Sequence, residues 1–422
     1  MCTCMNTIYF SRKHLFRLLT QSSAVLALIF IANGFAYAFF VITLPIIGRQ
    51  LDFSDTNTSL ILGLSAFMIT LVSPIWGRLS ERWGRKKVIL ISVIATLFCT
   101  ILTASIIKLR IELAISMQLS FLLLLSVRIL NSLFTGGIKP AGQAYIADTT
   151  DINMRARGMG LMGAAFGIGS IFGGLCAMIV GSSHIFLGYV AVSITLLMSF
   201  ILAYHQLSES RPTDAYPVSR TPLPYSKIWI FLTVTLVGLT VFSLLQHTIS
   251  LTLADKFSLS DDLTIRTSGM SMMLMMVTMI ITQALLLRVL SLTPLTLILL
   301  GIVCSSAALL FASLAPVLWG FIVTMILFGF GLGLLFPGNL ALLSINVDSF
   351  SQGRIAGING IAQGVGLALG PICGSYLHHN LVSLPYVHAY SLPYLSSAFL
   401  LFILIVPVAV LRYRSLSKYK YG

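Results

Sequence analysis

Charged side chains are scarce in this sequence, since Asp, Glu, Lys and Arg together supply only 9% of its 422 residues, whereas hydrophobic residues supply 57%. A soluble domain has about a quarter of its residues charged, and its helices need a polar face to meet water. The composition therefore argues against a large soluble protein and favours one embedded in a lipid bilayer.

Cysteine is also sparse, and nucleotide-binding patterns are missing. The 6 cysteines show no metal-ligand spacing, and no glycine-rich phosphate-binding loop is present. We therefore expect no metal, no cofactor and no enzymatic reaction. Any energy for work across the membrane must come from an ion gradient or the membrane potential.

Long apolar runs fill the chain instead. A bilayer core about 30 Å thick needs about 20 apolar residues for each helix that crosses it. The first run is too long for a signal peptide and lacks a convincing cleavage site, so we interpret it as the first span. Twelve membrane-spanning helices are predicted, near residues 22–46, 58–76, 88–107, 118–145, 158–181, 184–204, 228–253, 268–288, 294–313, 316–343, 355–377 and 390–411.

Lys and Arg residues mark the cytoplasmic side of a membrane protein. With the N-terminus inside, 19 of the 26 fall in inner segments and 5 in outer ones. Both termini are therefore expected in the cytoplasm, in a multi-pass protein of the inner (plasma) membrane. This placement explains the net charge of +14 without nucleic acid, whose binding needs a basic face on a soluble domain.

The chain contains an internal duplication. A shift of 197 residues aligns Gly136 with Gly333, Pro140 with Pro337, Ala144 with Ala341, Asp151 with Asp348, Arg157 with Arg354, Gly160 with Gly357, Gly163 with Gly360, Gly167 with Gly364, Gly169 with Gly366 and Gly173 with Gly370. Matches at one fixed offset indicate duplication, and parallel repeats are typical of transporters that bind substrate between them. We predict an N-terminal half at 1–205, a cytoplasmic linker at 206–227 and a C-terminal half at 228–422.

The loop between spans two and three, GRLSERWGRKK at 77–87, resembles a signature of the major facilitator superfamily. The resemblance covers nearly the whole chain and implies an all-α fold of two pseudo-symmetric six-helix bundles. In the family this loop acts as a cytoplasmic latch, so Glu81 is expected near the start of span eleven, where a helix dipole favours an anion, and Arg85 beside Asp148. A basic loop that only sets topology is the alternative. The gating residues implied are Gly77, Glu81, Arg82, Gly84, Arg85, Lys86, Asp148, Arg157 and Arg354.

Glycines at spacings of three and four line spans five and eleven, where they let neighbouring helices approach closely. The span-five pattern resembles that of the antiporter branch, drug/proton antiporters included, although Gly174 stands where the family often has proline. Packing alone would also explain these glycines. The helix-packing set is Gly163, Gly167, Gly169, Gly173, Gly174, Gly360, Gly364, Gly366, Gly370 and Pro371.

Polar residues present in only one half are candidates for a substrate site. Arg128 and Lys139 in span four align with Met325 and Phe336, and a charge within a membrane is costly enough to suggest a function. About three helical turns separate them, which predicts one shared face and a distance of roughly 16 Å along the axis. The rest of the predicted substrate-binding set is Asn33, Tyr37, Asn131, Thr135, Gln143, Gln246, His247 and Gln363.

All 12 acidic residues fall in loops or at helix ends on the predicted map, so the two cations are expected without a carboxylate partner. Arg and Lys in a cavity suit a carboxylate or phosphate group. Alternatively, cavity water solvates both, or Lys139 extends toward the cytoplasm. His247, the only histidine predicted well inside a span, is a candidate proton carrier or simply a polar cavity residue.

We therefore expect a monomeric secondary transporter that works by alternating access on a small molecule, in contact with lipid, with protons as the candidate coupling ion. Export of a carboxylate-bearing metabolite, such as a polycarboxylate siderophore, is the specific hypothesis. The rivals are proton-coupled efflux of amphiphilic drugs, carboxylate uptake, and a membrane receptor or scaffold.

Overall fold

The computed structural model describes residues 2–149, 152–210, 224–286, 292–347, 352–379 and 389–409. These residues form helices and connecting turns, with no β-strand among them. Within these ranges, 12 helical segments are long and apolar enough to cross a membrane. The all-α class and the number of spans are thereby confirmed.

The helices extend beyond several of the predicted apolar runs. In order, spans one to twelve are formed by Cys2–Gln50, Asp55–Trp83, Arg85–Ile111, Met117–Thr135 with Ile138–Thr149, Ile152–Val180, Ile185–Gln206, Tyr225–Lys256, Asp261–Ile281, Pro294–Leu314, Leu318–Ile345, Gln352–His379 and Leu392–Ile403.

Hydroxyl side chains fix where several spans begin. Ser54, Ser116 and Ser260 precede spans two, four and eight, and each accepts a hydrogen bond from the backbone N–H three residues later. Thr293 does the same before span nine. Such caps satisfy a backbone donor that has no partner within the helix.

Span four consists of two helices rather than the single one predicted. The first ends at Thr135 and the second begins at Ile138, with Gly136 and Gly137 between them. A Cβ on Gly137 would meet the Ser92 hydroxyl at 2.8 Å, so the chain turns where it packs tightly against span three. The break lies between Arg128 and Lys139, so the helix that the prediction took as continuous between them is interrupted, and the shared face stays a prediction.

The glycines of spans five and eleven make equivalent contacts within each half. A Cβ atom added at Gly169 or Gly173 would meet the backbone of span one. A Cβ atom added at Gly366 or Gly370 would meet the backbone of span seven. The glycine positions aligned by the offset thus serve the same helix contact in both bundles. The boundaries proposed for the two halves stay predictions, and residues 211–223 of the linker lie outside the described ranges.

The two halves meet closely near one end of the molecule, here called the closed end, where spans one and seven finish. Spans five and eight cross there at Gly174 and Gly269, and a Cβ on Gly174 would meet the Gly269 carbonyl oxygen at 2.7 Å. Spans two and eleven cross at Gly63, where a Cβ would meet the Ala368 carbonyl oxygen, also at 2.7 Å.

The opposite end, here called the open end, lacks such contacts at the start of spans five and eleven. Gly160 and Gly163 have no atom within 4 Å of the Cβ position, and neither do their counterparts Gly357 and Gly360. Because the starts of both spans lack close neighbours at these glycines, the two halves lie further apart toward this end.

The loop between spans two and three is held within the first half. Arg85 is buried and donates to the Asp148 carboxylate at 3.1 Å and to the Ser80 hydroxyl at 2.7 Å. The ion pair expected between Arg85 and Asp148 is thus confirmed. Ser210 donates to the same Asp148 oxygen at 3.2 Å, so the segment after span six joins the cluster.

Glu209 caps span three, a role that the sequence did not suggest. The Lys86 backbone N–H donates to its carboxylate at 3.1 Å, where the positive end of the helix dipole favours an anion. Gly84 stands beside this carboxylate with φ of 99°, a conformation open to glycine but strained for other residues. Lys86 also donates to the Tyr204 carbonyl oxygen at 2.7 Å.

The contact expected between Glu81 and the start of span eleven is not formed with any residue that the structure describes. Glu81 and Arg82 are exposed and form no ion pair within those ranges. The side chain of Arg157, like Asp151 and Asp348, lies outside the described residues. The gating role of this set stays a prediction.

Candidate transport site

A cavity of about 370 Å³ lies between span five of the first half and spans seven, eight, ten and eleven of the second. Its volume is in the range of small-molecule sites, which are mostly apolar with a few placed polar groups. Its lining residues are Gly163, Phe166, Gly167, Ser170, Thr235, Leu239, Phe242, Met276, Met279, Phe336, Asn339, Leu340, Asn359 and Gln363.

Three polar residues on spans seven, ten and eleven form a hydrogen-bonded chain along one wall. The Asn339 amide donates to the Thr235 hydroxyl at 2.8 Å, and that hydroxyl donates to the Asn359 amide oxygen at 2.7 Å. Asn339 is 2% exposed, and its own amide oxygen has no partner in the described residues. A buried acceptor without a partner costs about 1–3 kcal/mol, so this wall keeps an unused hydrogen-bonding capacity.

Gln363 is the member of the predicted substrate-binding set that lines this cavity. It accepts a hydrogen bond of 3.0 Å from the Lys139 ammonium, which reaches it from the first half. The expectation that Lys139 lacks a carboxylate partner therefore holds in the described part of the chain, since the partner found there is a neutral amide.

Arg128 lies elsewhere in the first half and faces span one. Its guanidinium carbon is 3.7 Å from the centre of the Phe40 ring, a cation–π contact. Its Nε is buried and has no hydrogen-bond partner among the described residues. The prediction of a cation without a carboxylate partner thus holds for Arg128 in the part of the chain that the structure describes.

Two predicted residues join the halves beyond the cavity. Tyr37 of span one donates to the Gln246 amide oxygen of span seven at 3.3 Å. His247, next to it, is fully buried, and neither ring nitrogen has a partner in the described ranges. Asn33 and Gln143 are partly exposed and do not line the cavity.

Asn131 and Thr135 serve the packing of span four on span three. The Thr135 hydroxyl donates to the Asn131 side chain at 3.0 Å and lies 3.1 Å from the Thr96 hydroxyl. Neither residue lines the cavity, so the structure does not bring them together with Gln363.

The closed end is crossed by a group of charged side chains. Arg49 places its guanidinium between two carboxylates, at 2.8 Å from Asp55 and 2.6 Å from Asp255. His378 lies 2.7 Å from the same Asp255 through its Nε2. Arg49 and Asp55 belong to the first half, and Asp255 and His378 to the second, so this closed-end cluster ties the halves together.

A second set of bonds joins the halves at the same end. Asp262 of span eight accepts from the backbone N–H groups of Ser182 and Ser183 at 3.0 and 3.1 Å. Arg266 donates to two carbonyl oxygens at the end of span five, at 3.2 and 2.5 Å. Because those carbonyls have no helical partners, Arg266 and Asp262 together clamp span five and the turn after it.

Sequence reasoning missed the closed-end cluster. The sequence predicts Arg49, Asp55 and Asp255 in loops or at helix ends, and His247 as the only histidine well inside a span. His378 also belongs to a candidate span and is 2% exposed. The available signal is that Arg49 and Asp255 carry opposite charges at the ends of spans one and seven, the first spans of the two halves.

Comparison with known proteins identifies the family. The sequence profile of the Major Facilitator Superfamily matches residues 26–371. The chain belongs to this superfamily. It is accordingly a multi-pass membrane transporter and not an enzyme.

Curated members of the superfamily match parts of the chain. The tetracycline resistance protein, class C, of Escherichia coli is 29% identical over 178 residues, which are 42% of this chain and 42% of that protein. Multidrug resistance protein 1 of Bacillus subtilis is 29% identical over 165 residues, or 39% of each chain. The match therefore spans less than half the length of these relatives.

Solved structures confirm the superfamily fold over almost the whole chain. The human organic anion transporter MFSD10 (TETRAN) superposes with a TM-score of 0.67 at 16% identity, covering 92% of this chain and 99% of that one. A bacterial homologue of the human lysosomal transporter Spinster, inward-facing and occupied, has a TM-score of 0.69 at 14% identity, covering 92% and 95%.

Proposed function

We propose that this superfamily member exports amphiphilic organic molecules by alternating access. The observation that supports the proposal is the cavity between the halves, which combines aromatic and methionine side chains with one hydrogen-bonding wall. Flexible thioethers such as Met276 and Met279 adapt to ligands of different shape. The polar residues Thr235, Asn339 and Asn359 line one side of the same cavity.

The direction rests on which end meets the cytoplasm. The excess of Lys and Arg in the segments at the open end supports a cytoplasmic location for that end. The cavity would then load from the cytoplasm, while the closed-end cluster and the Asp262–Arg266 clamp shut the outer side. The partial relatives named for tetracycline and multidrug resistance support export rather than uptake.

An anionic substrate is the second candidate, favoured by Lys139. Its ammonium is held at the cavity by an amide of Gln363, and no carboxylate lines the described part of the cavity. A carboxylate on the substrate would supply the missing counter-charge. The relatives reported above do not support a siderophore or other polycarboxylate specifically, and the likeness to an organic anion transporter is at the level of fold.

Accumulation in cells without their own exporters tests the proposal. We expect cells that produce the protein to retain less tetracycline or less tetraphenylphosphonium than control cells. Asn339→Leu should restore retention, because it removes the polar wall of the cavity. Asn346→Ala is the matched control, since Asn346 follows the same helix and, among the described residues, its amide bonds to the Leu342 carbonyl oxygen of that helix.

Three outcomes distinguish the candidates. Lower retention of the neutral or cationic probes supports amphiphile export. Lower retention of labelled citrate with no change for the other probes favours the anionic substrate. Unchanged retention of all probes by producing cells contradicts export of these classes.

A further inference from the structure

The closed-end cluster has an unbalanced set of charges. It contains two carboxylates, Asp55 and Asp255, and one permanent cation, Arg49. With a neutral imidazole on His378 the cluster carries one negative charge in excess, and with a protonated imidazole the charges balance. An uncompensated charge in a partly buried site is unfavourable, so the binding of one proton by His378 would neutralise the cluster.

We propose that the Asp255–His378 pair binds the coupling proton, and that the bound proton holds the two halves together at the closed end. The inference rests on the proposed function, because a coupling proton has a role only in gradient-driven transport. It adds the site at which the proton acts and the interface that it controls.

Asp255 is the residue that connects the proton to the interface. Its carboxylate is shared between Arg49 of the opposite half and His378 of span eleven. A protonated His378 donates to this carboxylate and balances its charge while the bidentate bond to Arg49 stays in place. Loss of the proton leaves excess negative charge at the interface and weakens the closed state.

Accessibility fits a proton that arrives from the side of the closed end. The side chains of Arg49 and Asp255 are 29% and 27% exposed, whereas that of His378 is 3% exposed. The imidazole thus lies behind the carboxylate, with its Nδ1 buried and without a partner in the described ranges. The Tyr390 ring, 5.7 Å from the imidazole ring, covers its other side.

Among the residues that the structure describes, the other charged groups near the cluster have partners of their own. Lys256 donates to the Ser313 carbonyl oxygen, Asp261 accepts from Gln50, Asp262 pairs with Arg266, Asp52 with Arg110, and Tyr394 donates to Thr252. None of these groups supplies the missing positive charge at Asp255.

His247 is the next imidazole toward the middle of the membrane. It precedes Asp255 by two helical turns on the same face of span seven, about 12 Å along the axis. Both of its ring nitrogens lack partners among the described residues. It therefore stands between the closed-end cluster and the Tyr37–Gln246 contact, on the side from which a proton would leave.

The distance between the halves at the closed end reports the effect directly. Spin labels at Thr56 and Val317, exposed positions on opposite halves, can be attached in a cysteine-free background and measured by pulsed electron resonance. In the native protein we expect a short distance in acidic buffer and a growing population of longer distances as the buffer is made more alkaline.

Variants distinguish the loss of the proton site from a general weakening of the contact between the halves. Asp255→Asn and His378→Asn should each abolish the pH dependence, leaving one distance distribution throughout. Asp262→Asn is the matched control, because it weakens a lock at the same end that involves no histidine. It should lengthen the mean distance and retain the shift with pH.

A native protein without a pH response, or a His378→Asn variant that keeps the native response, overturns the inference. If His378→Asn does not yield monodisperse protein, Asp255→Asn decides by the same criterion. No substrate is present in this measurement. An intact pH response in a protein that exports nothing would therefore contradict the proposed function while leaving the proton site supported.

Discussion

Lys139 and Gln363 form a hydrogen bond of 3.0 Å that joins the two halves at the edge of the central cavity. The cation comes from the second helix of span four and the amide from span eleven. The bond places a positive charge beside a site whose other described polar lining groups are neutral.

Lys139→Gln should weaken the binding of carboxylate-bearing probes more than that of neutral amphiphiles. Removal of one charge-assisted contact predicts a loss of roughly tenfold in affinity for an anionic probe, or about 1.4 kcal/mol. Binding of a neutral probe should change little. Titration of purified protein with both probes, followed by intrinsic fluorescence, measures the difference.

Lys108→Gln provides the control for that variant, because Lys108 is exposed and pairs only with Glu112 on its own helix. It should leave both affinities unchanged. An equal loss of affinity for anionic and neutral probes in Lys139→Gln would show that Lys139 affects the shape of the cavity and does not favour anionic ligands.

Gly174→Ala should destabilise the closed end. Its Cβ would meet the Gly269 carbonyl oxygen at 2.7 Å and the Met273 backbone nitrogen at 3.1 Å, and backbone atoms cannot move aside cheaply. Overpacking of this kind costs about 1–3 kcal/mol. A lower thermal unfolding temperature in detergent, with greater accessibility of the closed end to a thiol reagent, is the expected result.

Gly160→Ala is the matched control on the same helix. Nothing lies within 4 Å of its Cβ position, and alanine is favoured over glycine in a helix by about 1 kcal/mol. We expect equal or greater thermal stability. Equal thermal stabilities of Gly160→Ala and Gly174→Ala would contradict the difference in packing between the two ends of span five.

Asp148→Asn should destabilise the first half, because it leaves the buried Arg85 guanidinium without its counter-charge. The side chains are 7% and 12% exposed, and removal of one member of a buried pair costs about 3–5 kcal/mol. Thermal unfolding in detergent measures the effect.

The comparison is Glu112→Gln, which breaks the exposed pair with Lys108, whose side chains are 65% and 56% exposed. Surface pairs of this kind contribute about 0–1 kcal/mol. A loss in Asp148→Asn no greater than that in Glu112→Gln would mean that the 77–87 loop does not depend on its buried ion pair.

The sequence allowed the spans to be predicted because each needs an apolar run of bilayer length, which is a local property. The Arg85–Asp148 pair could be expected from a family resemblance. The glycine contacts followed from the spacing, since small residues permit close helix approach. These features lie within one span or one half.

The features that were missed depend on long-range proximity. Arg49 and Asp255 are 206 residues apart in the chain, and Asp255 and His378 are 123 apart, so no local pattern links them. The polar wall of Thr235, Asn339 and Asn359 combines three spans. The break in span four lies where Gly136 and Gly137 pack against spans two and three, whereas the aligned Gly333 lies inside a continuous helix.

The most direct test of the central claim is transport in everted membrane vesicles, in which an exporter moves its substrate inward. With an imposed proton gradient, vesicles containing the protein should accumulate tetracycline, lose it on addition of an uncoupler, and fail to accumulate it when Asn339 is replaced by leucine. Asn346→Ala should behave as the native protein does. Absence of gradient-dependent accumulation of tetracycline, tetraphenylphosphonium and citrate in everted vesicles, or accumulation only in vesicles of native orientation, would contradict the account.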